Sequence, residues 1–212
     1  MGFWEKMKGF LNSPEEMFAS VEEEDVSVSI IYALKLLILY GVLVAAIAVI
    51  VFTILLPTIL HLLETLIVLD AVPWLESFFT SPIWVSLIIV VAFVATFVGG
   101  LVGILVGGLW IHLWVYIVGG RKGIGQTLKS VAYGSTPQFL LGWIPLLGWA
   151  FWAWSMLISV IGLKQLHGIS TGKAAFAYLL AAIMIPSVIM YAYYIPLLFT
   201  RLISFIETEA FV

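Results

Sequence analysis

Long apolar runs broken by short polar or glycine- and proline-bearing connections dominate the hydrophobic pattern of this chain. The first run extends from Ile30 to Leu56 and the second from about residue 83 to Val118. The third is a shorter stretch near 127–143, and two more follow at 146–166 and 174–199. At ~1.5 Å of rise per residue the first run reaches roughly 40 Å as a helix, enough to cross a bilayer core of roughly 30 Å with some tilt. The second reaches roughly 54 Å, so it is expected either to tilt strongly and project beyond the bilayer or to break near Gly107-Gly108. The third begins at Pro137 and can span only if the residues from Thr127 join its helix. Pro57 is expected to end or kink the first helix, and Pro186 and Pro196 to kink the last.

Helical spacing also marks two peripheral segments. Phe3, Trp4, Met7, Phe10 and Leu11 recur on one side of a short helix, opposite Glu5, Lys6 and Lys8, which suits an interfacial position among the cytoplasmic headgroups. Ser13-Pro14-Glu15-Glu16 predicts a second helix start, with Ser13 as cap, Pro14 at the first helical position and Glu16 completing a capping box. Thr58, His61, Glu64 and Thr65 form a polar stripe that predicts an outer interfacial helix, followed by a belt at Pro73, Trp74, Phe78 and Phe79.

Charge orients this pattern. The nine lysines and arginines cluster in alternate connections. Lys6, Lys8 and Lys35 lie before or at the start of the first run, Arg121, Lys122 and Lys129 between the second and third, and Lys164 and Lys173 between the fourth and fifth. The stretches 57–82 and 142–148 hold none, and Arg201 is the only exception. The positive-inside rule then gives an all-α integral membrane protein with five transmembrane helices and peripheral amphipathic helices, its N-terminus in the cytoplasm and its C-terminus outside. Residues 1–29 form the cytoplasmic amphipathic segment, 30–201 the membrane domain and 202–212 a short external tail.

Composition narrows the function. A mean hydropathy of +1.18 excludes a soluble domain. Cysteine is absent, which removes disulfides, thiolate metal sites and cysteine nucleophiles. Asn12 is the only asparagine, and together the two scarcities point to a prokaryote growing hot. No segment is basic enough for nucleic acid. The acidic run Glu22, Glu23, Glu24, Asp25 reads as a solvated face. His61 and Glu64, with Asp70, do not close a metal site, and no metal or cofactor is expected. His112 falls near an interface as a neutral, hydrogen-bonded side chain, and His167 beside a solvated loop. Gly134-Ser135-Thr136-Pro137 lacks a nucleophile elbow, and both aspartates lie outside the runs, so no enzyme activity is expected.

Three sets of residues remain as candidates. Arg121, Lys122 and Lys129, with Phe3, Trp4, Met7 and Phe10, are the expected contacts for anionic lipid or a cytoplasmic partner. Ala95, Gly99, Gly103 and Gly107, at steps of four, form a small-residue ridge for internal helix packing or a homodimer seam. Gln138, Ser155 and Ser159 mark a polar pathway, with interhelical hydrogen bonding as the simpler role.

The order of several short motifs resembles the Yip family, the Ypt/Rab-interacting membrane proteins and their prokaryotic relatives. Phe10-Leu11-Asn12-Ser13-Pro14 with Phe18 resembles the family's N-terminal motif, and Gly119-Gly120-Arg121 with Gln126-Thr127 its cytoplasmic connection. Tyr133 and Pro137 resemble the start of its third helix, and Ile144-Pro145 with Gly148 its outer turn. Gly162-Leu163, His167-Gly168-Ile169-Ser170 and Lys173-Ala174 resemble the link between its last two helices. The resemblance implies five helices in the same orientation and a membrane-organising or trafficking-like scaffold or adaptor. Its implied partners are membrane lipids, other membrane proteins or further copies of the chain, in the plasma membrane if the source is prokaryotic and in endomembranes if eukaryotic. The Asp-Leu-Tyr-Gly-Pro motif and longer cytoplasmic N-terminal region of eukaryotic members are absent, which removes the ground for expecting a small GTPase. The competing class is a transporter or channel for a small neutral or lipidic substrate, which a water-accessible cavity lined by Gln138, Ser155 and Ser159 would favour.

Overall fold

A computed structural model describes residues 1–67 and 81–184, together with Pro196, Thr200 and Arg201. Those residues are helical apart from turns. Helices α1 (Phe3–Asn12) and α2 (Pro14–Ser20) precede α3 (Val26–Ile50), which runs through a π-helical turn at Val51–Leu55 into α4 (Leu56–Ile67). Next, α5 (Pro82–Val102) passes through a second π-helical turn at Gly103–Gly107 into α6 (Gly108–Ile117). Helices α7 (Ile124–Gly134), α8 (Thr136–Leu141) and α9 (Gly148–His167) follow, and α10 covers Thr171–Met184.

Among the described residues, two continuous helical runs, Val26–Leu62 and Pro82–Ile117, are long and apolar enough to cross a membrane. Their apolar side chains face outward: Ile38, Val42, Ile50, Val90, Val98, Val106 and Leu113 are all exposed. A soluble bundle would bury such residues, so this surface is built for lipid. Thr171–Met184 is a shorter apolar helix.

Pro57 does not end the first run. It lacks an N–H and its ring crowds the carbonyl four residues back, at Thr53. Thr53 lies within the π-helical turn, where the Leu56 N–H reaches back to the Val51 carbonyl and the wider turn relieves the clash. The separate interfacial helix expected after Pro57 is therefore a continuation of the first run. The side chains of Glu64 and Thr65, the aromatic belt from Pro73 to Phe79 and the kink at Pro186 lie outside the described residues. The second run stays one helix, its wide turn ending at the Gly107-Gly108 pair where a break was one expectation.

Helices α7 and α8 stack end to end across Ser135, whose N–H bonds the Val131 carbonyl at 2.9 Å and whose carbonyl accepts from the Phe139 N–H at 3.0 Å. The ladder thus continues past Pro137. The α7 to α8 column runs beside α3 and antiparallel to α9, which approaches so closely that a Cβ on Gly134 would lie 2.8 Å from the Ser159 backbone. Only glycine fits there. Gly162 similarly makes room for the Phe18 ring, and Gly100 for Leu37.

Two ion pairs gather the charged connections at one end of the bundle. Lys122 pairs with Glu22 at 2.6 Å and Lys164 with Glu15 at 2.8 Å. The turn at residues 142–148 lies at the other end of the α7 to α8 column.

Candidate functional site

The charged end carries a cap made of α1 and α2. Phe3, Met7 and Phe10 recur on one face of α1, but that face turns toward the bundle. Phe10 stacks on the Tyr133 ring at 4.5 Å and meets Phe18 edge-on at 5.0 Å, and Phe3 packs against Tyr32 at 5.4 Å. Phe10 and Phe18 are fully buried and Met7 nearly so. Of the residues expected to meet lipid through α1, only Trp4 remains outward. The bundle offers aromatic partners that a headgroup layer does not, which explains the difference.

Lys6 departs from the expected pattern most sharply. Three residues from Phe3 it lies only about 60° around the helix, on the flank of the apolar face rather than opposite it. It is 5% exposed, and its ammonium donates to both Glu24 carboxylate oxygens at 2.6 Å and to the Tyr133 hydroxyl at 3.1 Å. That hydroxyl in turn donates to Glu24 Oε2 at 2.6 Å. Partial burial raises the Glu24 pKa, while the bonds from Lys6 and Tyr133 lower it, and the net shift is downward. The acidic run is therefore a solvated face only in part: Glu23 and Asp25 stay exposed, while Glu22 and Glu24 are drawn into ion pairs. Glu22 is held below the ordinary carboxylate range by its bond from Lys122, and Asp25 by its bonds from Ser27, where it caps α3.

Lys129 closes the cap from the bundle side. It is 3% exposed, and its ammonium donates to the carbonyls of Val21, Glu22 and Glu24, the last at 2.9 Å. A lysine committed to three carbonyls beyond a helix C-terminus is a structural clasp. Its ammonium is turned inward, away from the surface where a contact with lipid or a partner was expected. Arg121 and Lys122 do stay exposed, Arg121 with its guanidinium 3.6 Å from the Tyr116 ring centroid. Ser13, the expected cap of α2, makes no side-chain bond. At the start of α1, Glu5 Oε2 instead accepts from the Gly2 N–H at 2.8 Å.

Beside the cap, Thr127 Oγ1 bridges His112 Nδ1 at 2.8 Å and His167 Nε2 at 2.9 Å. His167 is buried, contrary to the solvated position expected from its neighbouring loop.

Deeper in the bundle a cavity of about 320 Å³ is bounded by α5 to α10, and Gln138, Ser155 and Ser159 all line it. The two serines are engaged in packing. Ser155 Oγ accepts from the Gln138 N–H at 2.9 Å, and Ser159 Oγ donates to the Ser155 carbonyl at 2.8 Å. Gln138 differs: Oε1 is buried with no partner among the described residues, while Nε2 lies 3.4 Å from the Tyr40 hydroxyl. Gly103 and Gly107 form part of the same wall. Among the described residues the ridge has no packing partner within the chain: a Cβ on Gly99, Gly103 or Gly107 would meet no atom within 4 Å, and Ala95 is exposed. The close helix contacts fall instead at Gly134, Gly162, Gly100 and, against Leu128, Gly108.

Sequence reasoning overlooked the Lys6, Glu24 and Tyr133 triad. The signal was present in the position of Lys6 on the helical wheel and in an acidic run placed just before a membrane helix.

A lipid-facing helical bundle carrying a clamped N-terminal cap defines an integral membrane protein. The family model of the Yip1 domain matches residues 8–194, and the chain belongs to this family. No curated protein and no solved structure matches the chain significantly.

Proposed function

We propose that this protein is a non-catalytic membrane scaffold or adaptor with five crossings, a cytoplasmic N-terminus and an external C-terminus, acting in a prokaryotic plasma membrane. The clamped cap carries this reading. The buried Lys6, Glu24 and Tyr133 triad and the Lys129 clasp hold α1 and α2 in one orientation, so the charged outer face of Glu5, Lys8, Glu15 and Glu16 is fixed before any partner arrives. A preorganised surface loses less conformational freedom on binding than a flexible tail. Arg121 and Lys122 extend that face toward anionic headgroups. The topology is supported by the ion pairs Lys122–Glu22 and Lys164–Glu15, which unite three connections that the charge pattern assigns to the cytoplasm.

The test is affinity purification in mild detergent with the wild type and with a variant carrying Glu5→Gln, Lys8→Gln, Glu15→Gln and Glu16→Gln. The adaptor reading expects a reproducible co-purifying membrane or cytoplasmic protein that the variant loses while remaining folded and inserted. A protein set identical for both would overturn it. The cavity lined by Gln138, Ser155 and Ser159 favours a second reading, transport of a small neutral or lipidic substrate. Substrate flux in proteoliposomes would distinguish the two.

A further inference from the structure

The cavity has features that select a ligand class. It adjoins a second hollow of about 350 Å³ beneath the 142–148 turn, and Gln138 and Trp152 line both. The path therefore leads from the turn, with Trp143 and Trp149 at its mouth, inward to Ile111 and Val131. Indoles at a mouth and an apolar interior match the interface-to-core gradient of a bilayer.

Among the described residues, no lining side chain of either hollow carries a charge. A carboxylate or phosphate drawn inside would find no counter-charge, and burying an unpaired ion is prohibitively costly. The ligand is therefore neutral. Gln138 Oε1 is the one buried acceptor of this lining without a partner among the described residues, and a buried carbonyl oxygen left unsatisfied forfeits the bond it made to water. A ligand that brings its own O–H satisfies the oxygen with a single bond. Gly103 and Gly107 recess the wall, since a Cβ on either would meet no atom within 4 Å among the described residues. The hollow walled by Gly103 and Gly107, about 320 Å³, lies at the small end of ligand pockets, which run roughly 300–1,000 Å³. That suits one chain rather than two.

We propose that this groove binds an uncharged single-chain lipid with a hydroxyl head, of the monoacylglycerol class, with the hydroxyl donating to Gln138 Oε1 and the chain lying along Gly103, Gly107 and Ile111. This deepens the second reading above by naming its ligand, but binding alone is claimed. Failure of transport would leave it standing, and failure of binding would remove it whether or not anything is transported.

Trp110 and Trp152 line the groove and report occupancy directly. The full chain in nanodiscs of unbrominated phosphatidylcholine is titrated with a monoacylglycerol brominated along its chain, while tryptophan fluorescence is followed. Saturable quenching is expected, competed by monooleoylglycerol at least tenfold better than by oleate or lysophosphatidylcholine. Gly103→Leu and Gly107→Leu should abolish the saturable component without lowering the melting temperature. Gln138→Met keeps side-chain length but removes the acceptor, and should weaken binding about tenfold and erase the preference for the hydroxyl head. Non-saturable quenching equal to that of brominated phosphatidylcholine would overturn the proposal. So would full binding by both glycine variants, or an unchanged preference in Gln138→Met, which remains readable if the glycine variants fail to fold.

Discussion

The two halves of this bundle use the same residue types to opposite ends. At the cap end, Gly134 and Gly162 sit where any side chain would strike Ser159 or the Phe18 ring, and polar atoms are gathered into closed sets around Lys6, Glu24, Tyr133 and Lys129. In the groove half, Gly103 and Gly107 meet no neighbour and Gln138 leaves a buried oxygen unpartnered among the described residues. Close-packed regions are rigid, whereas loosely packed ones are where a membrane protein has room to accept something. One half is built to hold a shape, and the other encloses a cavity.

The comparison breaks most plainly on matched glycine substitutions. Gly134→Val should destabilise by about 3 kcal/mol, the upper range for overpacking, because the obstruction is backbone on both sides and cannot swing away. Gly103→Val should leave stability within about 0.5 kcal/mol. Melting temperatures in one detergent decide it, and equal losses would erase the distinction between the halves.

Lys6→Met should cost about 2–4 kcal/mol. That is slightly less than the ~3–5 kcal/mol for one partner of a fully buried pair, since Glu24 remains 27% exposed. Adding Glu24→Gln should recover part of the loss by removing the stranded charge. Limited proteolysis within residues 1–25 reads the release of the cap independently of the membrane helices, and additive effects of the two changes would mean that the pair does not couple.

Acid should loosen the cap as well. The folded carboxyls of Glu22 and Glu24 have pKa values below their unfolded ones, so their contribution is complete above the unfolded value of about 4.5. It is lost as the pH falls through the folded values. Protease sensitivity of the N-terminal segment should therefore rise below about pH 4.5 in the wild type and respond less in Glu24→Gln. The groove half, lined by uncharged residues, should show no such transition.

How much of this was legible in the sequence follows the same division. Patterns that depend on one residue type repeated along a helix, such as the lipid-facing runs, read directly from hydropathy. The cap did not, because it joins residues far apart in sequence: Lys6 with Tyr133, and Lys129 with the carbonyls after α2. A regular spacing of small residues suggested packing at Gly99, Gly103 and Gly107. Helix approach depends instead on which face meets a neighbour, and single glycines at 134 and 162 had no periodic signal to reveal it. Gln138, Ser155 and Ser159 were found together since polar residues in apolar helices stand out, but only geometry separates the two engaged serines from the unpartnered glutamine oxygen.

A smaller effect sharpens the contrast between exposed and committed basic residues. Arg121→Gln with Lys122→Gln should weaken salt-sensitive binding to anionic vesicles by about 1 kcal/mol per residue. Lys129→Gln should instead lower stability, with no specific change in vesicle binding by the folded fraction. Vesicle flotation across a salt series separates these outcomes.

The most direct test of the account is whether the two ends lie on opposite sides of the membrane. The chain has no cysteine, so single cysteines report without background. Arg121→Cys lies at the cap end, while Leu146→Cys lies in the far turn, where Leu146 is 94% exposed. A membrane-impermeant maleimide should label Arg121→Cys only from the cytoplasmic side and Leu146→Cys only from outside. Labelling of both from the same side would contradict the orientation and, with it, a cytoplasmic cap joined across the bilayer to an outward-opening groove.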